Sequence, residues 1–122
     1  MDCGEVGGDD KMNRWGIPDW LEKKVRDRDK FCVYCHIPMK EYPRIKGTPC
    51  DKATIEHMDD EAVAHPTEKN IAICCGSCNS SRGARKLLDW FELPHCKNRS
   101  KPINEETVDE IVREFLRKAG KK

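Results

Sequence analysis

Asn70-Ile71-Ala72-Ile73-Cys74-Cys75-Gly76-Ser77-Cys78-Asn79 is the stretch whose reading decides the fold of this chain. A short apolar run leads straight into a Cys-x-x-Cys pair, and an asparagine follows the last sulfur. The run has the character of a strand. The pair places two soft donors on one tight turn. A second pair, Cys32-Val33-Tyr34-Cys35, lies upstream. Two such turns complete a tetrahedral site, so Cys32, Cys35, Cys75 and Cys78 are the expected ligands of one structural Zn²⁺. The interval from Cys35 to Cys75 is about twice the roughly 15–20 residues of a simple zinc ribbon. Strand–loop–strand material is therefore inserted between the knuckles. Cys74 competes with Cys75 for the fourth place. It continues the apolar run and makes a wider step to Cys78, so it is read as a packed small hydrophobe. His36 follows Cys35 but finds no vacancy in a four-sulfur set. His95 and Cys96 are adjacent donors, which alone do not make a site.

Size and composition narrow the class. The chain has 122 residues, enough for one domain, with 37% hydrophobic and 37% charged residues and a net charge of +1. A domain this small benefits from a metal staple. Eight cysteines suit a secreted disulfide scaffold, but the first twenty residues are Gly- and Asp-rich and lack the apolar core of a signal peptide. No stretch is long and apolar enough to span a membrane. A cytoplasmic, reduced protein that uses cysteine for metal is the better reading, with Cys3, Cys50 and Cys96 as free thiols. Overall charge announces no nucleic-acid partner. Locally, Arg82, Arg85, Lys86, Lys97, Arg99 and Lys101 outnumber Asp89 and Glu92. Such a stretch serves equally as a phosphate footprint or as a solvated helix face.

The expected class is α+β. Residues 1–13 read as a disordered lead-in and residues 14–122 as one domain, with its core at about 29–91. Pro18 opens a helix that buries Trp20, Leu21 and Val25 and runs to about Arg28. Residues 38–52 and 59–69 read as loops, with strands at residues 53–58 and 71–73 between and after them. A helix is expected from about Cys78 to Phe91, capped by Ser77, with Gly83 a weak member. A last helix, at about 104–119, takes Asn104 as its cap and presents Val108, Ile111, Val112, Phe115 and Leu116 on one face. That face packs on the core or forms a dimer seam.

Glu56-His57 and Asn70 lie between the two knuckles. Neighbours on a strand point to opposite sides, so Glu56 and His57 share a face only where the strand ends. Asn79 falls near a helix start, where backbone N–H groups and the dipole favour a phosphate. Arg82 and Lys86 follow it on the same helix face.

The combined pattern resembles the HNH nucleases, a branch of the ββα-metal endonucleases, from about Asp29 to Trp90. It rests on Cys32-x-x-Cys35, on Thr54-Ile55-Glu56-His57, and on the run from Asn70 to Gly83. The resemblance implies a ββα-metal core held by the zinc and flanked by N- and C-terminal helices. It implies that Glu56 is an acidic ligand of a catalytic divalent ion and that Asn79 is the second. It implies that His57 is the general base, that Asn70 is a structural asparagine whose side chain steadies the loop and orients the histidine, and that Arg82 approaches the phosphate backbone, with Arg85 and Lys86 beside it. Oxygen donors suit Mg²⁺ or Mn²⁺. The implied activity is hydrolysis of DNA, double-stranded in the first instance, to 5′-phosphate and 3′-hydroxyl ends by a monomer or homodimer. A non-catalytic zinc module that binds nucleic acid or protein is the alternative. A thiol redox sensor built on Cys74, Cys75 and Cys78 is a third reading. His65 is read as a surface histidine.

Overall fold

A computed structural model of the chain describes residues 16–41 and 49–119. The lead-in expected over residues 1–13 and the middle of the 38–52 loop lie outside the described residues. What is described is a mixture of helices and strands around one two-stranded antiparallel sheet, an α+β arrangement.

Helix α1 spans Asp19–Arg28. Pro18 precedes it at φ −61°, already set for helical entry. Acidic Asp19 and Glu22 sit in its first turn and Arg26 and Arg28 in its last, which suits the helix dipole. Leu21 and Val25 bury, but Trp20, expected inside, is 66% exposed. Trp20 sits one position before Leu21, so the Leu21–Val25 stripe points away from it.

Strands β1 (Ala53–His57) and β2 (Ile71–Cys75) pair with Ile55 opposite Ile73 and His57 opposite Ile71. β2 extends two residues beyond the expected end and takes in both adjacent cysteines. Both faces are covered. Ile55, Ile71 and Ile73 pack with Ile17, Leu21 and Val25. Ala72 and Cys74 belong to a second cluster around Tyr34, Trp90 and Val112. A doubly covered strand reads as a continuous apolar run, which is why β2 shows no alternation.

Three expectations need correction. The stretch 59–69 is not all loop: Asp59 accepts from the Ala62 amide at 2.9 Å and starts a short helix, α2 (Asp60–Ala64). The helix expected from Cys78 to Phe91 is broken. Helix α3 covers Gly76–Arg82, and Gly83 ends it at φ 56°, ψ −130°. The chain restarts as α4 (Leu87–Trp90) and α5 (Pro94–Lys97). The last helix, α6, spans Glu110–Ala119 rather than 104–119. Asn104 caps a turn, accepting from the amides of Glu106 and Thr107 at 2.8 and 3.1 Å. Asp109 leads into the helix and donates its own amide to the Val33 carbonyl at 2.8 Å. Val108 and Val112 are buried and Ile111, Phe115 and Leu116 pack against the same cluster, so the apolar face of α6 is core.

Gly83 occupies backbone space that L side chains rarely adopt, while an added Cβ would meet only the end of Arg85 at 3.8 Å. Gly83→Ala should therefore cost backbone strain, about 1–3 kcal/mol. The expected result is a lowered denaturant midpoint with an unchanged m-value.

Candidate metal centre and the expected catalytic residues

Two knuckles bring the four expected sulfurs together. The Sγ atoms of Cys32, Cys35, Cys75 and Cys78 all lie within 4.8 Å of one another. Each turn is shaped by its own sulfur. Cys32 Sγ accepts from the amides of Tyr34 and Cys35, both at 3.4 Å. Cys75 Sγ accepts from the Cys78 amide at 3.4 Å. Cys75 is thus the N-cap of α3, the role assigned to Ser77 from sequence. The second knuckle is also the first turn of this helix. His36 takes φ 67° as the chain leaves the first knuckle, and its Nε2 lies 2.5 Å from the Thr107 carbonyl.

The crowding has an electrostatic consequence. Sulfhydryls from Cys32, Cys75 and Cys78 hydrogen-bond to Cys35 and hold it far below the usual thiol range. Cys75 and Cys78 are pushed far above it, first by Cys32 and then by Cys35. Four thiolates this close would repel one another, and a cation among them would offset that repulsion. Four sulfurs, three of them buried, fit one tetrahedral Zn²⁺. Cys74 lies outside the cluster. It is fully buried beside Thr54, whose hydroxyl is 3.8 Å away, and burial drives its thiol well up. His95 comes closer to the centre than sequence suggests. Its Nε2 is 3.5 Å from Cys78 Sγ, and its ring stacks on Trp90 with centroids 5.7 Å apart.

The expected catalytic residues are distributed differently. Strand alternation puts Thr54 and Glu56 on the α3 side of the sheet, and Ala53, Ile55 and His57 on the α1 side. Glu56 is 3% exposed. Its Oε2 accepts from the Tyr34 hydroxyl at 2.5 Å and is ion-paired with Arg82 Nη1. Burial raises its carboxyl, against the pull of Arg82 and Tyr34. Asn79 donates to Thr54 Oγ1 at 2.9 Å and to the Ile55 carbonyl at 3.0 Å, fastening α3 to β1. Asn70 staples the loop before β2: its Oδ1 accepts from the Thr67 amide at 2.7 Å and its Nδ2 donates to the His65 carbonyl at 3.0 Å. The His65 side chain is exposed. His57 is half-buried. Burial, and then the Arg82 charge, lower its pKa.

Arg82 is a correction. It is 5% exposed and does not face a phosphate. Its Nη1 and Nη2 donate to the carbonyls of His57 and Met58 at 2.9 and 3.0 Å, and its Nε donates to the Arg85 carbonyl at 2.8 Å. The buried Glu56 carboxylate draws it inward. Arg85 and Lys86, beyond the end of α3, are exposed. The N-terminus of α3 is not a phosphate cradle either. The Gly76 and Ser77 amides donate to the carbonyls of Lys52 and Cys50, both at 3.0 Å.

A Mg²⁺ or Mn²⁺ cage at Glu56 and Asn79 does not fit these side chains. The Glu56 charge is already matched by a guanidinium that any cation would have to displace. The four cysteines are the one group of three or more His, Cys, Asp or Glu donors gathered closely enough for a metal among the described residues. An open groove lined by Leu88, Glu105, Arg113 and Leu116 includes none of the expected site residues.

Comparison with protein-family models, curated proteins and solved structures finds no match.

Metal analysis of purified protein should give about one zinc per chain, coordinated as a four-sulfur site requires. Cys75→Ser should lose it, with a fall in thermal midpoint, whereas Cys74→Ala should keep it. The opposite ranking would exchange the roles of the two cysteines.

Proposed function

We propose that this protein is an endonuclease that hydrolyses phosphodiester bonds in double-stranded DNA with His57 as general base, as the resemblance to the HNH nucleases implies. The observation that carries this reading is how His57 is held. It ends β1. Arg82 grips its carbonyl, and the next amide, that of Met58, donates to the Asn70 carbonyl at 3.0 Å. The motif asparagine and the motif arginine thus converge on the peptide that bears the motif histidine.

A histidine with a lowered pKa is neutral at pH 7 and able to accept a proton. His57 takes a proton from water as the water oxygen bonds to phosphorus. The bond from phosphorus to the 3′-oxygen breaks, and that oxygen takes a proton from solvent, leaving a 5′-phosphate and a 3′-hydroxyl. The Asn70 side chain steadies the loop that leads into β2, and Asn79 fixes α3 against the strand. Exposed Arg85 and Lys86 supply sequence-independent attraction to the DNA backbone. No step is assigned to Mg²⁺ or Mn²⁺, because Glu56 is bound by Arg82. That same ion pair favours a second reading, a zinc-held module that binds DNA or a protein without cutting.

Supercoiled plasmid offered with Mg²⁺, with Mn²⁺ and with chelator separates the two. The nuclease reading expects nicking that His57→Ala lowers by roughly 10²–10⁴-fold. It also sets the pH profile. Activity needs the unprotonated ring, so it falls as pH drops through the His57 pKa. With that pKa lowered from 6.5, the acid limb should lie below pH 6.5. Wild type that never cuts above His57→Ala, yet binds DNA equally well, would leave the binding module.

A further inference from the structure

Tyr34, Glu56 and Arg82 form a buried polar chain that links three separate elements of the fold. Their exposures are 1%, 3% and 5%. Tyr34 lies between the first two sulfurs, inside the turn that Cys32 shapes. Its hydroxyl reaches Glu56 on β1, and Glu56 holds Arg82 on α3. Arg82 then turns back to the carbonyls of His57 and Met58. Every link is a hydrogen bond to a fixed partner, and the chain runs from the sulfur cluster to the peptide that carries the histidine.

We propose that these three side chains act as one clamp, so that Arg82 is a positioning residue for His57 and Glu56 is the clamp's central acceptor. The proposal rests on the nuclease reading for its consequence, though not for its geometry. The chemistry suits the task. A guanidinium presents several donors in a rigid plane and can hold a carboxylate and three carbonyls at once; a lysine ammonium cannot. Paired with Glu56 inside the protein, Arg82 adds no net charge toward DNA. A generic buried ion pair would give stability alone. This one also fixes two consecutive carbonyls at the end of β1. It makes the zinc knuckle, through Tyr34, part of the frame that orients the base.

The test uses the zinc-loaded full chain and three variants: Arg82→Lys, Tyr34→Phe, and the double change Arg82→Gln with Glu56→Gln, which leaves no unpaired charge if the single change fails to fold. Three quantities are read: kcat and KM for plasmid nicking, the salt dependence of DNA binding, and hydrogen exchange of the Met58 amide. The clamp expects Arg82→Lys to lower kcat by about ten- to a hundredfold through misplacement of the base, with KM and the salt slope unchanged. It expects faster Met58 exchange in all three variants while zinc content stays at that of wild type. A raised KM, or a salt slope reduced by about one, would make Arg82 a phosphate contact and overturn the proposal. Unchanged Met58 exchange in Arg82→Lys and Tyr34→Phe would overturn it as well. Failure of the nuclease reading shows separately, as wild type that never cuts, and the exchange measurement still judges the clamp.

Discussion

Four sulfur atoms from two distant segments are gathered within 4.8 Å of one another, close enough to hold one metal ion, and the rest of the fold is arranged around them. A two-stranded sheet is marginal by itself, and the helices around this one are short. The sulfur cluster joins chain segments that are far apart in sequence, the knuckle at Cys32–Cys35 and the strand-to-helix corner at Cys75–Cys78. Cys32 and Cys75, the first sulfur of each pair, also order their turns through N–H···S bonds. Remove the cation and the same atoms become a liability, since close thiolates repel and close thiols must share protons. A metal ion such as zinc, held by the four sulfurs, would turn that liability into a cross-link between the two segments.

Around the cluster, buried charge is used for connection. Asp29, 7% exposed, accepts from the Ile73 amide at 3.0 Å and is ion-paired with Arg28. The Val33 amide donates to the Ile73 carbonyl at 3.3 Å. The edge of β2 that does not face β1 is therefore covered by the first knuckle, which removes an open edge for unwanted pairing. On the α3 side of β1, Glu56 and Arg82 bind each other and the strand end. Breaking such a pair by removing one partner leaves an uncompensated charge, which is costlier than never having had the pair.

The sequence was most legible where one residue type has one strong preference. The two Cys-x-x-Cys pairs named the cluster. The apolar run of Ile71 to Ile73 pointed to a strand, and Cys74, which continues it, was assigned to packing. The stripe of Val108, Val112 and Phe115 marked a helix. Reading failed where a long-range partner decides the outcome. Arg82 looked like a surface cation because nothing local says that Glu56 waits beneath it. Nothing local singles out Tyr34, yet its hydroxyl donates to a residue on another element. The start of α3 looked open to phosphate, but carbonyls from residues 50 and 52 had already taken its amides. Helix breaks were missed for a local reason. Gly83 was weighed by propensity, whereas its backbone angles make it a terminator.

His57 ends β1 with its carbonyl held by Arg82, and the four-cysteine cluster lies at the other end of the same polar chain, where it could hold a zinc ion. The measurement that bears on this most directly is X-ray absorption at the zinc edge of the purified protein. The account predicts a single shell of four sulfurs at about 2.3 Å. A shell containing nitrogen from His95, or a protein that folds fully with no zinc bound, would contradict it.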